Sequence, residues 1–132
     1  IKHRTDPLGA CLRLHIATGA QRWEQLRRAT RADIDSDIQA LRLLDPKGRR
    51  ETARTHWVPL TATAIEAIDA CSPADPGAFV LSCTGGKSGA DYAAAARAVR
   101  EIAGSLVASG VAVAPFTLGD IRRTVETRLA AV

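Results

Sequence analysis

Apolar positions recur along this chain in blocks whose spacing changes from helical to alternating and back. Asp6-Pro7 opens the first block: an Asp oxygen can cap a helix amino end, and Pro fits the first helical position. Leu8, Cys11, Leu12 and His15 then fall on one face at helical spacing. Thr18-Gly19 interrupts that face, and helix is predicted to resume from Arg22 to about Arg28. Between Ile38 and Leu60 the period shortens. Gln39 to Asp45 and Arg54 to Pro59 are predicted as two strands, with Pro46-Lys47-Gly48 supplying the turn. This predicts an antiparallel hairpin with a basic tip of Lys47, Arg49 and Arg50.

Helical spacing then returns. Thr61 is placed to cap a helix with Ile65 and Ile68 facing inward, ended by Pro73 and Pro76-Gly77. Phe79 to Cys83 is a short apolar run, predicted as a strand or extended segment. Ser88 is placed to cap the longest helix, whose inward stripe reads Tyr92, Ala95, Ala96, Val99, Ile102 and Leu106, with Gly110 as its stop. Thr117 caps a last helix carrying Leu118, Ile121, Val125 and Leu129. The fold class expected is α+β: one mainly helical domain with a small antiparallel sheet at one edge.

Composition sharpens this only in part. With 132 residues and 46% hydrophobic content the chain suits one globular domain. No apolar run reaches membrane-spanning length and no leader has a signal-peptide layout, so the expected setting is the cytoplasm, with no membrane partner. The chain opens inside what reads as folded sequence, which predicts a fragment of a longer protein. Cys11, Cys71 and Cys83 are scattered along the sequence without a C-x-x-C pair, which predicts buried reduced thiols and neither a disulfide framework nor a zinc site. The net charge is +4, with three lysines among eighteen basic residues. Arginine's planar donor fork suits phosphate oxygens, so a polyanionic partner is permitted by this balance and not demanded by it.

Three basic sites lie at predicted junctions. In Thr18-Gly19-Ala20-Gln21-Arg22 a turn leads into a helix, where free backbone N–H groups and Arg22 can face an anion together. Lys47 stands at the hairpin apex, where a flexible ammonium can reach a DNA groove and give a proton to a leaving oxygen. Arg122 and Arg123 lie early in the last helix, beside or away from its apolar stripe. Each alone reads first as a solvated surface cation.

Taken together and in this order, the three sites resemble the catalytic core of the tyrosine recombinases, the phage-integrase family. The features that carry the resemblance are Arg22 after a Thr-Gly turn, then Leu26 and Asp33-Ile34-Asp35. Lys47 in a hairpin follows, then Val58-Pro59-Leu60-Thr61 at a strand end, and Arg122 with Thr124 as the second half of an H-x-x-R motif. The resemblance implies a recombinase-like catalytic fold, double-stranded DNA as partner and other protomers met on that DNA, with a monomer in isolation. It implies metal-free and cofactor-free phosphoryl transfer. Arg22 and Arg122 would clamp the scissile phosphate, Lys47 would protonate the leaving 5′-oxygen, and Arg49, Arg50, Lys87 and Arg123 would contact the DNA backbone. The chain would be a partial catalytic domain. It would lack an amino-terminal DNA-binding domain, the family's third basic position (a histidine or tryptophan) and its nucleophilic tyrosine, and so would be inactive alone.

The sequence departs from the family pattern in three places. Arg22 fits only if the turn is one residue longer than usual, the shorter register placing Gln21 there; Gly119 stands where the H-x-x-R histidine belongs; and Tyr92, the chain's one tyrosine, precedes Arg122 and reads as core. Two other readings remain. One is a DNA-binding or helical regulatory module without catalysis. The other is a nucleotide-binding P-loop at Thr84-Gly85-Gly86-Lys87-Ser88, where Leu81 stands in place of the required first glycine.

Overall fold

The Asp6 carboxylate accepts a hydrogen bond from the Gly9 amide at 3.1 Å, with Pro7 as the first helical residue, and this cap starts helix α1 (Pro7–Ala17) as the sequence predicts. The computed structural model describes residues 5–45 and 52–131, and all that follows concerns those residues. After α1 come a single turn, α2 (Trp23–Leu26), and three strands, β1 (Ile34–Asp35), β2 (Ala40–Asp45) and β3 (Arg54–Pro59). Helices α3 (Ala62–Cys71), α4 (Tyr92–Ala108) and α5 (Leu118–Ala130) complete the chain. The result is an α+β domain with a small antiparallel sheet.

The sheet runs β1-β2-β3. The predicted hairpin is β2 and β3, in a register that sets Leu41 opposite Val58 and Asp45 opposite Arg54. Leu41, Leu43 and Val58 point into the core, while Arg42 and Trp57 face the other way, as a half-buried sheet requires. Strand β1 is not foreseen in the sequence; at two residues it carries no alternation to read. It pairs with β2 across a turn in which the Asp35 carboxylate accepts from the amides of Asp37 and Ile38. The expected basic tip, with Lys47, Arg49 and Arg50, lies outside the described residues.

Helix α1 is the centre of the core. Its buried Ala10, Cys11, Leu12 and Leu14 belong to one cluster with Ala64, Ala67, Ile68 and Cys71 of α3, Leu41 and Leu43 of β2, and Val80 and Leu81. Several inward positions differ from expectation. Ile65 is 36% exposed, because α3 turns the stripe Ala64, Ala67, Ile68 and Cys71 inward. Helix α4 is capped by Asp91, whose carboxylate accepts from the Ala94 amide at 2.9 Å, and not by Ser88. Its buried stripe is Ala95, Ala98, Val99 and Ala103, with Ile102 packed beside it. Leu129 is 66% exposed, and only Leu118 of α5 is fully buried.

Phe79 to Cys83 forms no strand. Phe79 makes an isolated bridge with Thr30, and the next three residues are buried in irregular, bending chain. Cys11, Cys71 and Cys83, distant in sequence, meet in space: the Cys11 sulfur lies 3.7 Å from each of the others, and all three are free thiols. Two are buried as expected, but Cys83 is exposed. The Cys71 thiol is pulled down by hydrogen bonding from Cys11, which in turn is held up by that contact and by burial.

Candidate functional site

The site begins at the end of α1. Gly19 and Ala20 both take left-handed backbone, φ +76° and +52°, and this double reversal turns the chain between α1 and Arg22. Thr18 is buried with its hydroxyl donating to the Leu14 and His15 carbonyls, and the Ala20 amide returns to the His15 carbonyl at 2.8 Å. The chain thus turns within four residues and delivers Arg22 to the start of α2. The helix expected to reach Arg28 is only the turn Trp23–Leu26, so no helix dipole of consequence stands behind Arg22.

The second element is the amino end of α5. Thr117 and Asp120 form a reciprocal cap: the Thr117 amide donates to the Asp120 carboxylate at 2.9 Å and the Asp120 amide to the Thr117 hydroxyl at 3.3 Å. The hydroxyl and amide of Thr117 hold the Asp120 carboxyl below its ordinary range. This cap sets the rotation of the helix and with it the direction of Arg122.

Arg22 and Arg122 line one cavity of about 110 Å³, together with His15, Gln21, Trp23, Tyr92, Leu118 and Gly119. Each arginine has an acidic neighbour: Arg22 meets both oxygens of Asp45 at 3.2 and 3.3 Å, and Arg122 meets Glu126 at 2.6 Å. Trp23 is the wall, fixed by its indole N–H donating to the Ala90 carbonyl at 2.9 Å. At Gly119 a Cβ would meet nothing closer than Thr117 Oγ1 at 3.7 Å, so side-chain space there is open.

Two residues of this cavity overturn or extend the sequence reading. Tyr92 is not on a buried stripe. It is 48% exposed in the first turn of α4, because the helix starts there and not at Ser88. His15 is buried as its helical face predicts, but it lines the cavity, which no periodicity could reveal. It is 3% exposed, stacks edge-on against Trp23 at 5.4 Å, and neither ring nitrogen has a hydrogen-bond partner. Burial, with a smaller contribution from the Arg122 charge, lowers its pKa to about 4.

The other expected residues lie elsewhere. Arg123 is exposed and paired with Asp120 at 2.5 Å. Lys87 lines a different, open depression with Asp75 and Gly86. Lys47, Arg49 and Arg50 are outside the described residues. In the loop carrying Lys87, the amides of Thr84 and Gly86 donate to the Ser82 hydroxyl, and the Ser88 amide donates to Thr84. These amides are spent within the loop, and helix begins only at Tyr92, so the loop lacks the free N–H cradle of a phosphate-binding P-loop. A roomier cavity of about 210 Å³ lies over β2, but of its charges Arg42 and Asp33 bind one another at 2.8 Å and Arg28 pairs with Glu24 at 3.8 Å.

Among the described residues no cluster of His, Cys, Asp or Glu fits a metal ion, and no helix is long and apolar enough to cross a membrane. Comparison with family models, curated proteins and solved structures returns no match.

Proposed function

We propose that this chain is the phosphate-gripping part of a tyrosine-recombinase-like catalytic domain, which binds duplex DNA through its backbone. One observation carries the reading: Arg22 and Arg122, a hundred residues apart, line the same small cavity. Two guanidinium forks on one cavity match the non-bridging oxygens of a phosphodiester. In strand cleavage the same pair would stabilise the charge that builds on those oxygens in the pentavalent transition state.

Lys47, which stands in sequence between β2 and β3, would protonate the leaving 5′-oxygen. Arg49, Arg50, Lys87 and Arg123 would add backbone contacts, which hold the duplex without reading its sequence. The nucleophile would be a tyrosine following Arg122, and these 132 residues carry none in that order. The chain alone therefore binds and does not cut.

Fluorescence anisotropy with a labelled duplex at several salt concentrations tests the reading. Binding that weakens steeply with salt, and that loses both affinity and slope in Arg22→Ala/Arg122→Ala, is expected. Affinity indifferent to that double substitution would refute the site. Gly119 favours a second reading, a backbone-binding module that has given up catalysis. That module would show the same binding in a longer, tyrosine-bearing protein with no cleavage.

A further inference from the structure

We propose that His15 is a third phosphate ligand of this cavity, its imidazole occupying from α1 the role left open by Gly119 on α5. The inference rests on reading the cavity as a phosphodiester site and adds a residue that no motif assigns.

Position comes first. His15 lines the cavity shared by Arg22 and Arg122, and Gly119 lines it too. A buried polar nitrogen without a partner carries a cost, and native structures rarely tolerate one without a reason. His15 has two such nitrogens. Among the described residues the cavity lining supplies no carboxylate. Lining it with His15 are Trp23 of α2, Arg22 and Gln21 before it, Arg122 of α5 and Tyr92 of α4, while the acids Asp45 and Glu126 are engaged by the two arginines. A negatively charged oxygen entering the cavity would meet two guanidinium groups and an imidazole N–H that has nothing else to bind. The cavity, about 110 Å³, has room for a phosphate group.

The arrangement has an electrostatic consequence. With the cavity free of anions, burial and Arg122 keep the imidazole neutral down to about pH 4. A phosphate between the arginines cancels their field and favours the protonated ring. By linkage, the anion then binds more tightly as pH falls, and the tightening belongs to His15 alone among the cavity residues that titrate between pH 4 and 7.

The test is an NMR titration of the His15 ring, followed from pH 3.5 to 8, in the free chain, with a short DNA duplex, and with dimethyl phosphate, whose single charge stays constant throughout. The Arg122 Nε–H signal is the control. Duplex and dimethyl phosphate are expected to raise the His15 pKa by about one unit or more, equivalent to tenfold tighter binding to the protonated form. The rise is expected to vanish in Arg22→Ala/Arg122→Ala. His15→Gln is expected to keep the fold and the Arg122 response while losing the pH dependence of binding. Arg122 shifts with an unmoved His15 pKa would overturn the His15 assignment and leave the two-arginine site standing. A duplex that moves neither signal would sink both. A response to duplex without one to dimethyl phosphate assigns the ligand to the DNA backbone and not to free phosphodiesters.

Discussion

Arg122 Nη1 donates to the carbonyl of Ala20 at 3.1 Å, joining α5 to the turn before α2 across 102 residues. The contact gives Arg122 a structural duty that Arg22 lacks. Arg22 is exposed and, among the described residues, its guanidinium pairs with Asp45. Arg122→Ala is therefore expected to destabilise the domain by about 1 kcal/mol, the net worth of a hydrogen bond with its buried neighbours disturbed. Arg22→Ala should stay within about 0.5 kcal/mol of the parent. Both should flatten the salt dependence of DNA binding by about one unit of slope. Chemical denaturation and anisotropy on the same variants separate the two effects. Equal stability losses would show that the Ala20 contact contributes nothing.

Each arginine is already engaged by a carboxylate of the chain, and those carboxylates compete with phosphate. Asp45→Asn keeps the shape and removes the charge that holds Arg22. It is expected to tighten duplex binding by about threefold to tenfold at low salt, against a much smaller gain for Glu66→Gln, an exposed acid on α3. Equal gains from both substitutions would mean that only net charge matters and that Asp45 does not guard Arg22.

His15 also ties stability to pH. Its pKa, held at about 4 against an ordinary 6.5, is lower in the folded chain than in the unfolded one. The unfolded chain thus takes up this proton first as pH falls through 6.5, and the folded chain follows only near 4. The contribution is whole above pH 6.5 and drains away between 6.5 and 4, to a limit of roughly 3 kcal/mol. In urea denaturation the parent is expected to lose stability across that window, and His15→Gln to lose distinctly less. Parallel pH profiles would place His15 in a wetter setting than described.

Most of the scaffold was legible because local chemistry decided it. Asp6-Pro7, Thr61 and Thr117 each cap the helix that follows, and the alternation in Gln39 to Asp45 is the strand β2 to within a residue. Misreadings arose where two local signals competed. Ser88 and Asp91 both stand before an alanine-rich helix, and the close packing of Gly89 against the Arg27 carbonyl keeps Ser88 out of the helix. With the helix starting at Tyr92, that residue stands exposed in its first turn, at the cavity rim. Of the site, the two arginines were legible as motif fragments at turns. His15, Asp45 and the meeting of the three cysteines were not, because each depends on long-range packing that no spacing encodes.

The same Gly89 contact yields a stability prediction. A methyl group there would collide with the backbone carbonyl of Arg27, which cannot rotate aside as a side chain could. Gly89→Ala is expected to cost about 2 kcal/mol or more, beyond the usual penalty of a surface change. It should also weaken DNA binding, since Ala90 next to it anchors the Trp23 indole that walls the cavity. A variant as stable as the parent would show that the loop yields freely.

Tyr92 is the last residue at issue, because its exposure at the cavity rim makes it the one phenol that can approach a bound phosphate. Proximity is not sufficient for attack. A nucleophile must stand in line with the leaving oxygen, and a hydroxyl on the rim, in the first turn of α4, is equally placed to donate a hydrogen bond to a non-bridging oxygen. The proposed function puts the nucleophile after Arg122 in the chain, and Tyr92 comes before it. Incubation with a nicked duplex that traps covalent intermediates, followed by denaturing electrophoresis, is therefore expected to give no protein–DNA band. Tyr92→Phe should weaken binding by no more than about fivefold, the worth of one hydrogen bond. A trapped band that disappears in Tyr92→Phe would instead make Tyr92 the nucleophile, and the chain would be a complete strand-cleaving centre with its catalytic order reversed.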